Sequence, residues 1–275
     1  MRIDSHQHFW SLQRGDYRWL NSSLGVIYRD FTPQDLKPLL ANANIEKTIL
    51  VQAADTLEET HYLLDIANKH DFIAGVVGWI DMLSPNACEQ LHELKQQPKL
   101  LGIRPMLQDI EEQEWMLKPE LDSVYQALIQ LNICFDALVD PARLKPLLTL
   151  LQRYPKLKLM IDHGAKPAIA ENEFERWATD IAIIAANSNA YCKLSGLLTE
   201  AKDGAGIDEL KPYMQHLLNC FGPKRLCWGS DWPVLNLSAD YSSWLAITET
   251  FLKPLSTEDR EAILGGNAQD FYHLT

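Results

Sequence analysis

Apolar residues in this chain gather in short runs, separated by stretches whose apolar positions recur every three or four residues. The runs are MRIDSHQHF (1–9), KTILVQA (47–53), IAGVVGWID (73–81), LLGIRPML (100–107), NICFDALV (132–139), KLKLMIDHG (156–164), AYCKLSGL (190–197) and RLCWGSDWP (225–233). They are largely apolar rather than cleanly alternating, which predicts strands of a parallel sheet covered by helices. The intervening stretches carry helix signals. Thr32 precedes Pro33, Thr56 precedes a face of Leu57, Leu63, Leu64 and Ala67, Ser84 precedes Pro85, and Asp140 precedes Pro141. IDELKPYMQHLLNCF and DYSSWLAITETFL continue the alternation. Eight strand–helix units in 275 residues predict a single-domain α/β fold, a closed (β/α)8 TIM barrel spanning 1–275. An open sheet needs fewer strands, and no glycine-rich phosphate turn comes after the first run.

One segment breaks this rhythm. WSLQRGDYRWLNSSLGVIYRDF (10–31) carries Trp10, Tyr17, Trp19, Tyr28 and Phe31. So many aromatic residues predict a packed loop, either a cap on the barrel or a wall of its site.

Composition narrows the function. The formal net charge is −12, which disfavours nucleic acid and anionic membranes as partners. No signal-peptide pattern and no run of about 18 apolar residues is present. The five cysteines form no CxxC pair, which predicts reduced thiols and a cytoplasmic protein.

In a parallel barrel, catalytic groups sit at the C-terminal ends of the strands. The polar residues there are His6 and His8, Asp81, Arg104, Asp162 and His163, Lys193 and Ser195, and Ser230 and Asp231. Residues two apart on a strand share a face, so His6 and His8 are expected to point together into the mouth. With His163 and Asp231 they make three imidazoles and a carboxylate, a set that suits zinc or a similar divalent ion. The same groups make a hydrolytic site without metal, with Asp231 as base and histidine and Arg104 stabilising an oxyanion. Blander alternatives stand beside each: a hydrogen-bonded core histidine at 163, a helix-capping aspartate at 231, an outward, snorkelling lysine at 193.

DSHQHFW, RGDYRWL, GWID, GIRPML, DHGAKP, CKLSGL, GSDWPV and GGNAQDFYHL, in this order, resemble the amidohydrolase superfamily in its amidohydrolase-2 branch. Within it the chain most resembles sugar lactonases of the L-fuconolactonase and L-rhamnonolactonase kind. The resemblance implies hydrolysis of a small sugar-acid lactone, with His6, His8, His163 and Asp231 as the site positions. It also implies that one divalent ion, zinc first, is the cofactor to consider, and it leaves both a metal-assisted and a metal-independent reaction open. The binuclear members' lysine on strand four is Arg104 here, and strand five offers no histidine, which speaks against two metals. Lys193 is expected to bind a hydroxyl or the product carboxylate. Trp10, Trp19, Trp79 and Trp232 are expected to stack on the sugar, with core packing as the alternative. Two other functions fit the same residues: a metal-dependent decarboxylase of an aromatic or unsaturated acid, and a non-catalytic sugar-acid binder.

Overall fold

The computed structural model describes residues 1–274. Its eight strands form one parallel sheet in sequence order. They are β1 (Ile3–Gln7), β2 (Lys47–Val51), β3 (Ile73–Gly78), β4 (Leu100–Ile103), β5 (Cys134–Ala137), β6 (Leu159–Ile161), β7 (Tyr191–Leu194) and β8 (Leu226–Trp228). Helices α1 (Pro33–Ala43), α2 (Leu57–Lys69), α3 (Ala87–Leu94), α4 (Asp122–Leu131), α5 (Leu144–Arg153), α6 (Glu175–Asn187), α7 (Ile207–Phe221) and α8 (Tyr241–Leu252) come after the strands in turn. The result is the (β/α)8 barrel that the alternation predicts. No helix among the described residues is long and apolar enough to cross a membrane.

Local chemistry sets the helix starts. The Thr32 N–H donates to the Asp35 carboxylate at 2.8 Å, and the Thr56 hydroxyl accepts from the Glu59 N–H at 3.2 Å. Each such cap is worth about 1 kcal/mol. The Asp140 side chain accepts from the Ala142 N–H, but the first turn there is a 3-10 turn and α5 begins only at Leu144.

The ring closes between β1 and the segment after β8. The Asp231 N–H donates to the His6 carbonyl and the His8 N–H to the Trp232 carbonyl, both at 2.8 Å. Inside the barrel, Ile3, Ile49, Val51, Val77, Cys134, Met160 and Cys227 form an apolar floor against Phe271 and Tyr272. Those two belong to a C-terminal helix beyond the short α9 (Thr257–Glu261), namely α10 (Asn267–Tyr272). The larger core lies between the sheet and its helices.

The insertion at 10–31 is a pinned loop. Trp10 and Phe31 exchange backbone hydrogen bonds at its base, 3.1 and 3.0 Å long. The Phe31 ring stacks edge-on against Trp232, 5.1 Å away. The loop is thereby fastened to the strand ends that carry the polar residues.

Candidate active site

The polar residues gather where regular strand geometry stops. β6 ends at Ile161, and His163, Gly164, Ala165 and Lys166 then take left-handed backbone, with φ of 53°, 58°, 62° and 48°. Asp231, just beyond β8, has φ 59°. A non-glycine residue held this way costs on the order of 1 kcal/mol or more and persists only where its surroundings enforce it. Here the Trp177 indole donates to the Gly164 carbonyl at 2.7 Å, and the backbone bond to His6 holds Asp231.

Four donor atoms converge. His8 Nε2 lies 3.2 Å from both His6 Nε2 and Asp231 Oδ1. His6 Nε2 and His163 Nε2 lie 3.7 and 3.8 Å from the same carboxylate oxygen. Nδ1 of His8 donates to the Val51 carbonyl at 2.8 Å, so in the neutral ring its Nε2 carries a lone pair. That lone pair faces a carboxylate oxygen, an arrangement that calls for a proton or a cation between them. A tetrahedral ion with ligands at about 2.0–2.1 Å has ligand–ligand separations of roughly 3.3 Å. His6, His163 and Asp231 bring one ligand atom each within 4.8 Å of one another, a set of three that could close on one such ion, while His8 adjoins only His6 and Asp231 among them.

Around these donors lies a fully buried charge network. Lys193 Nζ sits 2.6 Å from Asp136 and 2.9 Å from Asp162, and donates toward His6 Nδ1 at 3.2 Å. Asp162 Oδ1 is 3.5 Å from the same His6 nitrogen. Lysine and carboxylate together serve either tautomer of His6, so its Nε2 can carry a proton or a lone pair. The Tyr272 hydroxyl donates to Asp136 at 2.7 Å, tying α10 into the network. Arg104 is held by Gln52: its guanidinium donates to the Gln52 carbonyl and to Oε1, and the Gln52 amide donates back to the Arg104 carbonyl at 3.0 Å. Arg104 reaches Asp162 and His6 Nε2, each at 3.4 Å.

Electrostatics assigns the protonation states. Burial alone would raise the Asp231 pKa, but His163, His8 and His6 outweigh it and hold the group well below the ordinary range. Burial lowers His163 to about 4 against the pull of Asp231 and Asp162. Asp231 is therefore a carboxylate and His163 a neutral imidazole near pH 7. Burial opposes the charge on Lys193, yet Asp136 and Asp162 raise its pKa and keep it an ammonium.

A pocket of about 270 Å³ opens over His8, Arg104, His163 and Asp231. Its remaining wall includes Trp19, Leu24, Val234, Leu237 and the Lys166–Glu200 ion pair, 2.8 Å long. Four of the expected sugar contacts lie elsewhere. Trp10 and Trp232 are 0% and 2% exposed and pack in the core, because their rings fasten the insertion to the barrel. Lys193 is 0% exposed and consumed by its two carboxylates, so it positions His6 and touches no substrate. Trp79 lines a neighbouring cavity instead.

Gln52, Asp136 and Gly196 escape sequence reasoning. The first two are visible only as single polar residues inside apolar runs. Gly196 has φ 63°, and a Cβ there would lie 2.5 Å from His163 Nδ1. The imidazole occupies the space a side chain would take, while Nδ1 meets the Ser195 hydroxyl at 2.9 Å.

Imidazoles from β1 and the β6 turn, set against a carboxylate after β8 at the mouth of a (β/α)8 barrel, define an amidohydrolase-type enzyme. The chain belongs to the amidohydrolase family, whose profile matches residues 3–274. It is 44% identical to a Burkholderia ambifaria protein named L-fucono-1,5-lactonase, over 99% of this chain and 96% of that one. A Burkholderia multivorans protein of the same name is 36% identical, over 100% and 96%. A crystal structure of an amidohydrolase from Burkholderia multivorans with bound zinc superposes with a TM-score of 0.96 at 34% identity, covering all of both chains.

Proposed function

We propose that this enzyme hydrolyses a sugar-acid lactone, of the L-fuconolactone or L-rhamnonolactone kind, to the aldonic acid. The observation that carries the reading is the buried, ionised Asp231 facing the pocket beside His8, His163 and Arg104. Asp231 takes a proton from water as the water oxygen bonds to the lactone carbonyl carbon. Arg104 donates to the developing oxyanion. In the metal-free enzyme, neutral His163 accepts a hydrogen bond from the Ser195 hydroxyl at Nδ1 and so presents Nε2–H to the same oxygen. As the tetrahedral intermediate collapses, the ring C–O bond breaks and the proton returns from Asp231 to the departing oxygen. Trp19 is the remaining expected stacking residue that lines this pocket.

His6, His8, His163 and Asp231 would hold one divalent ion, zinc first, which when bound supplies Lewis-acid polarisation of the carbonyl. A lactone ester needs less activation than an amide, so we assign the ion an auxiliary role. Turnover is expected to persist after exhaustive chelation, at well under one equivalent of metal by elemental analysis; loss in proportion to metal would reverse that assignment.

The reading is tested with a panel of aldonolactones varied at each stereocentre, followed by a pH indicator and by NMR. Ring opening far above the spontaneous rate is expected for 6-deoxy-L-sugar lactones. Binding without turnover, or carbon dioxide release from an aromatic or unsaturated acid in place of ring opening, would contradict it.

A further inference from the structure

Beside the catalytic pocket lies a second cavity of about 470 Å³ that the hydrolytic reaction does not use. Its walls account for a division among the tryptophans. Trp10, Trp177, Trp228, Trp232 and Trp244 are at most 2% exposed and belong to the core. The other three of the chain's eight, Trp19, Trp79 and Trp115, are only half-buried, and all three line this one cavity. An indole is a large apolar body that folding buries where it can. Three left partly open on one concavity, supplied by the insertion and by the segments after β3 and β4, form a binding wall rather than unfinished core.

The cavity and the catalytic pocket meet at a ridge of Trp19, Ala53 and Met106, which belongs to both. This ridge is built firmly. The Trp19 indole donates to the Ala53 carbonyl at 2.7 Å. The Ala53 and Ala54 N–H groups donate to Glu59, a fully buried carboxylate, at 3.0 and 2.7 Å. The rest of the lining decides the ligand's charge. Asp16, Asp55, Asp81 and Asp109 face the cavity; Asp16 pairs with Arg14 behind it and Asp55 with Arg18 at 3.2 Å, which leaves Asp81 and Asp109 as the excess. The excess of carboxylates repels an aldonate or a phosphorylated sugar. It offers acceptors to hydroxyl groups, while the indoles offer flat apolar faces to C–H surfaces.

We propose that this cavity is a saccharide subsite for a neutral, uncharged sugar ring, set across the Trp19 ridge from the hydrolytic centre. The neutral lactone and its glycosides suit it, and the anionic product does not. The subsite stands whether or not the neighbouring pocket hydrolyses lactones, because its evidence is its own walls.

The test uses the full-length enzyme and a panel of methyl glycosides of glucose, galactose, mannose and L-fucose. Saturation-transfer NMR and intrinsic tryptophan fluorescence report binding. At least one glycoside is expected to bind in the millimolar range with a signal that depends on Trp115, and sodium gluconate, the anionic control, to give no Trp115-dependent signal. Trp115→Ala is expected to weaken that binding tenfold or more while leaving turnover of a small aldonolactone within about twofold. Asp109→Lys, which projects a long side chain from an exposed position, is expected to do the same without removing an indole, so a folding defect at Trp115 does not blunt the test. Absence of binding across the panel, binding that either substitution leaves unchanged, or equal Trp115-dependent binding of gluconate would overturn the proposal. If the glycosides bind but no lactone is opened, the hydrolytic reading fails and the subsite survives.

Discussion

The floor and the mouth of this barrel are made by the same strands a few residues apart, and they obey different rules. Met160 lies in the apolar floor, while Asp162 and His163 stand in the mouth just after β6; Cys227 on β8 and Asp231 just beyond it repeat the pairing, as do Ile3 and His6 on β1. The floor is regular strand, closed by Phe271 and Tyr272 of α10. The mouth begins where hydrogen-bonded strand gives way to left-handed turns at His163 and Asp231. Packing against neighbours stabilises the first region. The second holds buried charges and strained backbone whose return is chemistry rather than stability.

Substitutions at the two levels should therefore separate cleanly. Asp231→Asn in the mouth is expected to lower kcat by about 10³ in the aldonolactone assay, the range of a lost general base, with Tm shifted by only a few degrees. Comparable activity in that variant would remove Asp231 from the mechanism. Met160→Ala in the floor is expected to do the reverse. Denaturant titration should show a loss of about 3 kcal/mol, with kcat of the folded fraction within about twofold of wild type.

Gly196→Ala sharpens the contrast, since it adds one carbon atom and removes no functional group. The new Cβ displaces the His163 ring, and a shift near 1 Å is expected to cost roughly a hundredfold in kcat/KM. Gly204→Ala, also at positive φ but with open space around it, is the matched control and should keep its activity. The smallest expected effect is that of pH. With His163 lowered to about 4, it stays neutral down to that value and gains a proton only below it. After subtraction of spontaneous hydrolysis, kcat/KM should change less than about twofold from pH 8 to 5.5, where a histidine titrating near its usual 6.5 would cost about tenfold.

Much of the fold was legible because its determinants are local. Each of the eight apolar runs contains a strand, and α7 spans the IDELKPYMQHLLNCF segment that periodicity marks out. Where the runs overshoot, the reason is the site. The 156–164 run yields only Leu159–Ile161, and the 225–233 run only Leu226–Trp228, because the residues beyond each strand turn inward to present side chains. His6, His8, Arg104, His163 and Asp231 were readable as polar residues at strand ends, and they do meet. Gln52 and Asp136 were not, because a lone polar residue in an apolar run gives no sign of its partner. Gly196 was invisible for a stronger reason: its meaning lies in an imidazole 33 residues earlier in the chain. The tryptophans show the limit most plainly, since stacking and core packing use the same residue, and only tertiary exposure separates Trp19, Trp79 and Trp115 from Trp10 and Trp232.

The central claim is that water, deprotonated by Asp231, attacks the lactone carbonyl directly. A single turnover in ¹⁸O-enriched water, with enzyme in excess over a 6-deoxyaldonolactone that it opens, tests this most directly. The account predicts one ¹⁸O in the aldonate carboxylate on that first turnover, none on the hydroxyl released by ring opening, and an unlabelled Asp231 in the digested enzyme. Unlabelled aldonate accompanied by labelled Asp231, or label on the released hydroxyl, would contradict it.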